Sequence, residues 1–123
     1  MNPRTVLVAD DSPEVVYVVT RTLEDAGYRV LSAGTVREAL DALDAHPDVG
    51  LVLSDIRMPG EDGFDLWRVL RHRFPTMPVV LMTGQAVTPD DMVPRGASIL
   101  PKPIDLDALE RLVREKTAVR PPQ

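Results

Sequence analysis

GLVLSDIRMPGEDG, residues 50–63, is the stretch whose reading decides the fold. Residues 51–53, Leu-Val-Leu, have the unbroken hydrophobicity of a strand buried on both faces of a parallel sheet. The run turns polar at Ser54 and Asp55, so a carboxylate is expected where a strand gives way to a loop. Met58, Pro59, Gly60, Glu61, Asp62 and Gly63 are rich in turn formers and are expected to be that loop. In an open α/β sheet, ligands bind at the carboxyl ends of the strands, and Asp55 stands at such an end.

Outward from this stretch the pattern repeats. Residues 5–9, TVLVA, form an expected strand that runs into Asp10 and Asp11. Ser12 is placed to cap a helix and Pro13 to occupy its first position, where a missing N–H costs nothing. Val15, Val19, Leu23 and Ala26 would form that helix's inner face, with Gly27 as its stop. A second strand is expected over 28–33. Thr35 and Glu38 have capping-box spacing, ahead of an apolar face of Val36, Ala39, Leu40 and Leu43. His46, Pro47 and Asp48 end this helix.

Beyond Asp55, the helical spacing of Leu66, Trp67, Leu70 and Phe74 predicts a helix over 64–74, closed by Pro75. The apolar run 78–82 ends in Thr83 and Gly84. Pro89 and Pro94 make any helix over 85–96 short or broken. Residues 98–100 are a brief strand before Pro101, Lys102 and Pro103. Asp105 caps a last helix with Leu106, Leu109, Leu112 and Val113 inward, and 118–123 read as a flexible tail.

Strand and helix thus alternate five times, which implies a parallel sheet covered by helices on both faces. At 123 residues there is room for one domain, and 44% apolar with 27% charged residues is ordinary globular composition. No apolar run approaches the roughly 20 residues of a membrane span. Zero cysteines excludes disulfides and thiolate metal sites and fits a reducing compartment. A net charge of −5 argues against general nucleic-acid binding.

The residues at the strand ends are Asp10, Asp11, Asp55, Thr83 and Lys102. Each has a bland reading on its own, as a cap, a turn former or an exposed loop residue. Their occurrence at successive strand ends is the stronger signal. Three neighbouring carboxylates repel one another unless a cation intervenes, and an all-oxygen ligand set suits Mg²⁺ over Zn²⁺. A carboxylate can itself be a phosphoryl acceptor, and Asp55, on the central apolar strand, is the best candidate.

Taken together, VLVADDS at 6–12, VLSDIRMPGEDG at 52–63, PVVLMTG at 78–84 and LPKP at 100–103 resemble a two-component response-regulator receiver domain. The resemblance spans nearly the whole chain. It implies a flavodoxin-like (βα)5 fold, a doubly wound five-stranded parallel sheet with, here, a short or irregular fourth helix. The receiver would occupy 1–118 and a tail 119–123.

It further implies that Asp55 accepts a phosphoryl group from a histidine kinase or histidine phosphotransfer protein. Asp10, Asp11, Asp55 and the backbone carbonyl of Arg57 would hold Mg²⁺. Thr83 and Lys102 would be the switch hydroxyl and the phosphate-contacting lysine. The chain would be cytoplasmic and would not act as an enzyme on other substrates. With too few residues after the last expected helix for an output domain, output would run through protein contact, a homodimer included, without nucleic acid or membrane. Either a single-domain regulator or a piece of a hybrid sensor kinase fits.

One departure from the family pattern is Ile99, which stands where an aromatic residue is usual. The broken segment after Thr83 is the expected mobile element. Gln85 and Arg57, each two residues beyond a site residue, are expected to tune the lifetime of the phosphorylated state. Among other readings, a haloacid-dehalogenase-like phosphatase needs an acid two residues after its nucleophile, where this chain has Arg57. A flavodoxin-type flavin module would have its phosphate repelled by Asp10 and Asp11. A pseudo-receiver serving only for docking is the remaining alternative.

Overall fold

The structure, a computed structural model, describes residues 5–58, 61–83 and 98–117, and of 57, 58 and 61–65 the backbone only. Strands β1 (Thr5–Ala9), β2 (Arg29–Ala33), β3 (Val49–Asp55), β6 (Val79–Thr83) and β7 (Ser98–Pro101) form one sheet, ordered β2-β1-β3-β6-β7. All its pairings are parallel. Between β3 and β6, β4 (Arg57–Met58) and β5 (Glu61–Asp62) pair antiparallel. The helices are α1 (Pro13–Asp25), α2 (Val36–Ala45), α3 (Gly63–Arg73) and α4 (Leu106–Thr117). The irregular fourth helix expected from the sequence, with Gln85, Pro89 and Pro94, lies outside the described residues, as does the tail.

The helices divide between the two faces of the sheet. On one, Val36, Ala39 and Leu43 of α2 and Leu66 and Leu70 of α3 pack on Leu7, Val52 and Leu81. On the other, Val19 and Leu23 of α1 and Leu109 and Val113 of α4 pack on Val6, Val8, Leu51, Leu53 and Val80. The strand residues alternate between the two clusters as period-2 geometry requires. Their continuous apolar runs follow from burial on both sides.

Local chemistry sets the helix ends. The Ser12 hydroxyl accepts from Val15 N at 3.4 Å, with Pro13 inside the first turn. The Thr35 hydroxyl accepts from Glu38 N at 3.0 Å, and Glu38 Oε1 reaches back to Gly34 N at 2.8 Å. That donor, Gly34 N, lies one residue upstream of the reciprocal capping-box partner. Gly27, at φ 99°, follows α1 in the left-handed conformation that glycine takes without strain. Asp105 accepts from Asp107 N and Ala108 N at the start of α4.

Four details differ from the sequence reading. The central strand runs 49–55, extended at both ends, and its register against β1 shifts between Thr5 and Val6. The expected loop after Asp55 contains the short antiparallel β4–β5 pairing, Arg57 with Asp62 and Met58 with Glu61. Ala26 is exposed because it is the C-cap of α1, beyond the last buried turn. Leu106 is 39% exposed because α4 begins there and has not yet reached the sheet.

Candidate phosphoacceptor site

Backbone pairing brings the site residues to one edge. Asp10 follows β1, and its N–H donates to Ala33 O of β2 at 2.9 Å. Asp55 ends β3, and the next residue, Ile56, donates from its N–H to Met82 O at 3.0 Å. Lys102 follows β7 and donates from its N–H to Thr83 O, the last residue of β6, at 2.7 Å. The side chains therefore start from positions fixed to neighbouring strands, and a cis peptide joins Lys102 to Pro103.

The three carboxylates meet. Asp10, Asp11 and Asp55 each present an oxygen, and these oxygens all lie within 4.8 Å of one another. Asp10 is 2% exposed and Asp55 8%, whereas Asp11 is exposed. Lys102 Nζ donates to Asp10 Oδ2 at 2.9 Å and to Asp55 Oδ2 at 3.2 Å. The other oxygen of Asp10 accepts from Ser12 N at 2.8 Å. Burial works against the charge on Lys102, but the hydrogen bond and charge of Asp10, and then those of Asp55, outweigh it. The ammonium is held above its ordinary value and stays charged at neutral pH.

Thr83 is 8% exposed at the end of β6. Arg57 is two residues past Asp55, with its backbone in β4. Ile99 is half-buried, opposite Leu81, and packs on the α2–α3 cluster. Two contacts escaped the sequence reading. The Ser12 N–H bond to Asp10 is an Asx-type contact, and an Asp two residues before a helix cap is its signal. The fully buried Ser54 hydroxyl donates to Asp55 O at 3.0 Å, and nothing in an apolar strand flags that bond beforehand.

The donor set suits a hard divalent cation: all oxygen, convergent, and one member open to water. Acid pair, strand-end acid, threonine and lysine gather at the carboxyl edge of a doubly wound sheet, the edge at which open α/β domains bind ligands. The family model of the response regulator receiver domain matches residues 6–114, and the chain belongs to that family. Its members are phosphoacceptors with this flavodoxin-like fold.

Among relatives, the C4-dicarboxylate transport transcriptional regulatory protein DctD of Pseudomonas aeruginosa is 38% identical over 118 residues, 94% of this chain and 25% of that protein. Response regulator Rre1 of Synechocystis is 39% identical over 122 residues, 94% of this chain and 52% of its own length. The chain therefore spans a quarter to about half of these relatives. Among solved structures, the chemotaxis response regulator CheY4 of Vibrio cholerae superposes with a TM-score of 0.84 at 28% identity, covering 93% of this chain and 98% of that one.

Proposed function

We propose that this chain is a working phosphoacceptor receiver, in which Asp55 takes a phosphoryl group from a histidine kinase or histidine phosphotransfer protein in the presence of Mg²⁺. The observation that carries this reading is Lys102 Nζ within hydrogen-bond reach of both Asp10 and Asp55. One cation thereby bridges Asp10 and the acceptor, so charges from three strands converge on one small volume. Asp10, Asp11, Asp55 and the Arg57 carbonyl would hold the metal, which when bound supplies charge neutralisation for the transferred group.

The remaining work belongs to the chain. An oxygen of Asp55 forms the new bond to phosphorus as the donor's bond to phosphorus breaks, and the donor imidazole leaves with its electron pair. Lys102 offers an ammonium to the added oxygens, and Thr83 a hydroxyl from the end of β6. The aspartyl-phosphate carries about 1.5–2 negative charges where Asp55 carried one, which alters contacts with a protein partner. The chain catalyses no turnover of other substrates, operates in the cytoplasm, and acts as one domain over 1–118 with a tail at 119–123.

Incubation with acetyl phosphate and Mg²⁺, followed by intact mass measurement, tests the reading. The wild type is expected to gain one phosphoryl group and Asp55→Asn none. An unmodified wild type on rapid sampling would favour a docking-only pseudo-receiver.

A further inference from the structure

The peptide unit that follows the acceptor is held from both sides. Its N–H, on Ile56, donates to Met82 O of β6 at 3.0 Å, and its carbonyl, on Asp55, accepts from the Ser54 hydroxyl at 3.0 Å. The first tether is ordinary sheet pairing. The C=O and N–H of a trans peptide point in opposite directions, so the carbonyl faces the β1 side. There the β1–β3 register ends with Ala9 opposite Ser54, one residue short of Asp55. The N–H of Asp10, next along β1, turns to Ala33 O of β2. A side-chain hydroxyl thus engages the carbonyl where the ladder stops.

The surroundings of that hydroxyl are apolar. Ser54 is fully buried, and Ala9 and Leu81 beside it on the flanking strands belong to the cluster under α2 and α3, as do Val52 and Ile56 on its own strand. A hydrocarbon side chain would pack there with no oxygen to satisfy. What the hydroxyl adds is a hydrogen bond to the backbone of Asp55.

We propose that Ser54 is a positioning residue for phosphoryl transfer, which aims the Asp55 carboxylate by holding the Asp55 carbonyl. This rests on the phosphoacceptor reading and deepens it. The carboxylate leaves the backbone at the Cα that borders the tethered peptide. Without the Ser54 bond that peptide can rock about its remaining bond to Met82 O and carry the Cα with it. Attack on phosphorus needs the oxygen in line with the breaking bond, and a small misplacement costs rate out of proportion to its size. Ser54 touches neither the phosphoryl donor nor the metal in this account, so it acts on the rate of transfer and leaves donor binding alone.

Phosphorylation by acetyl phosphate in saturating Mg²⁺, followed by intact mass over time, reads the effect. In Ser54→Ala the rate at saturating donor is expected to fall about tenfold while the half-saturating concentration stays within about twofold. Ser54→Thr keeps a hydroxyl and should return the rate to within about threefold of wild type. The carbonyl ¹³C signal of Asp55 should move upfield in Ser54→Ala, which lacks the donor, and return in Ser54→Thr. Packing alone would not produce that pattern.

A wild-type rate in Ser54→Ala overturns the inference, as does an equal loss in the Ala and Thr variants or a change confined to the half-saturating concentration. Each of these leaves Asp55 standing as the acceptor, whereas a wild type that takes no phosphoryl group overturns both readings. If Ser54→Ala fails to fold, Ser54→Cys replaces it, close in size and only a weak donor; a loss of about threefold is then expected, and an unchanged rate refutes the role.

Discussion

The three acids of the site are chemically alike but energetically different, and their amides should separate them. Asp10 is buried and makes two hydrogen bonds, one to an ammonium. Asp11 is exposed and makes no hydrogen bond or ion pair with the described residues, yet lies within 4.8 Å, oxygen to oxygen, of both other carboxylates. Like charges at that distance repel by about 1 kcal/mol in bulk water, and Lys102 offsets part of this. The favourable end of the α1 dipole trims the gain from removing Asp11 a little further.

Asp11→Asn should therefore raise metal-free stability by about 0.5–1 kcal/mol. Asp10→Asn loses a charge-assisted bond and leaves a part-buried ammonium with one carboxylate fewer, a cost of about 2 kcal/mol. For a chain of this length each kcal/mol moves Tm by about 4 °C. The two variants should thus differ by roughly 10 °C in melts followed by circular dichroism at pH 7 with EDTA. The Asp11→Asn gain should shrink in 0.5 M NaCl, because exposed charges are screened and buried ones much less so. An Asp10→Asn melt at or above that of Asp11→Asn would refute this account of the cluster.

Two further outcomes concern the scaffold. Thr5 Oγ1 donates to Asp48 Oδ2 at 2.9 Å, and that bond is the largest influence holding the Asp48 carboxyl below its ordinary value. A depressed carboxylate stabilises above its unfolded value and stops doing so as pH falls through the folded one. The gap in urea midpoint between wild type and Thr5→Val should hold from pH 7 to 5 and narrow below about pH 4; a gap independent of pH would exclude the bond as its source. On α4, Leu109→Ala should cost about 3 kcal/mol and Leu106→Ala less than about 1, since the first side chain is fully buried and the second 39% exposed. Equal costs in urea unfolding would contradict the packing of α4.

How much was legible in the sequence depended on the kind of information each feature needs. Asp10, Asp11, Asp55, Thr83 and Lys102 could be placed together because parallel strands put all their carboxyl ends on one edge. No side-chain detail was needed for that. The unequal burial of Asp10 and Asp11 depends on which side of the strand end each residue faces, and adjacent identical letters do not say. The reach of Lys102 to Asp10 depends on rotamers and on the β6–β7 pairing. Ala26 and Leu106 had the right spacing for their helix faces but stand at helix ends, where the helix no longer lies over the sheet. The register shift between Thr5 and Val6 is a local backbone event inside an otherwise uniform apolar run, beside Gly50.

The sheet also acts as a partition. Val19 and Leu23 lie in one apolar cluster and Leu66 and Leu70 in the other, with the strands between them. Energetic coupling between substitutions falls away when they share no neighbours. Paired changes across the sheet should then simply add, while pairs such as Leu23 with Val113 should not. Each side can drift and repack without consulting the other. The strand ends have no such freedom: Asp10, Asp55 and Lys102 hang from strands braced by both clusters, so the site's geometry is the one property for which the two halves must agree.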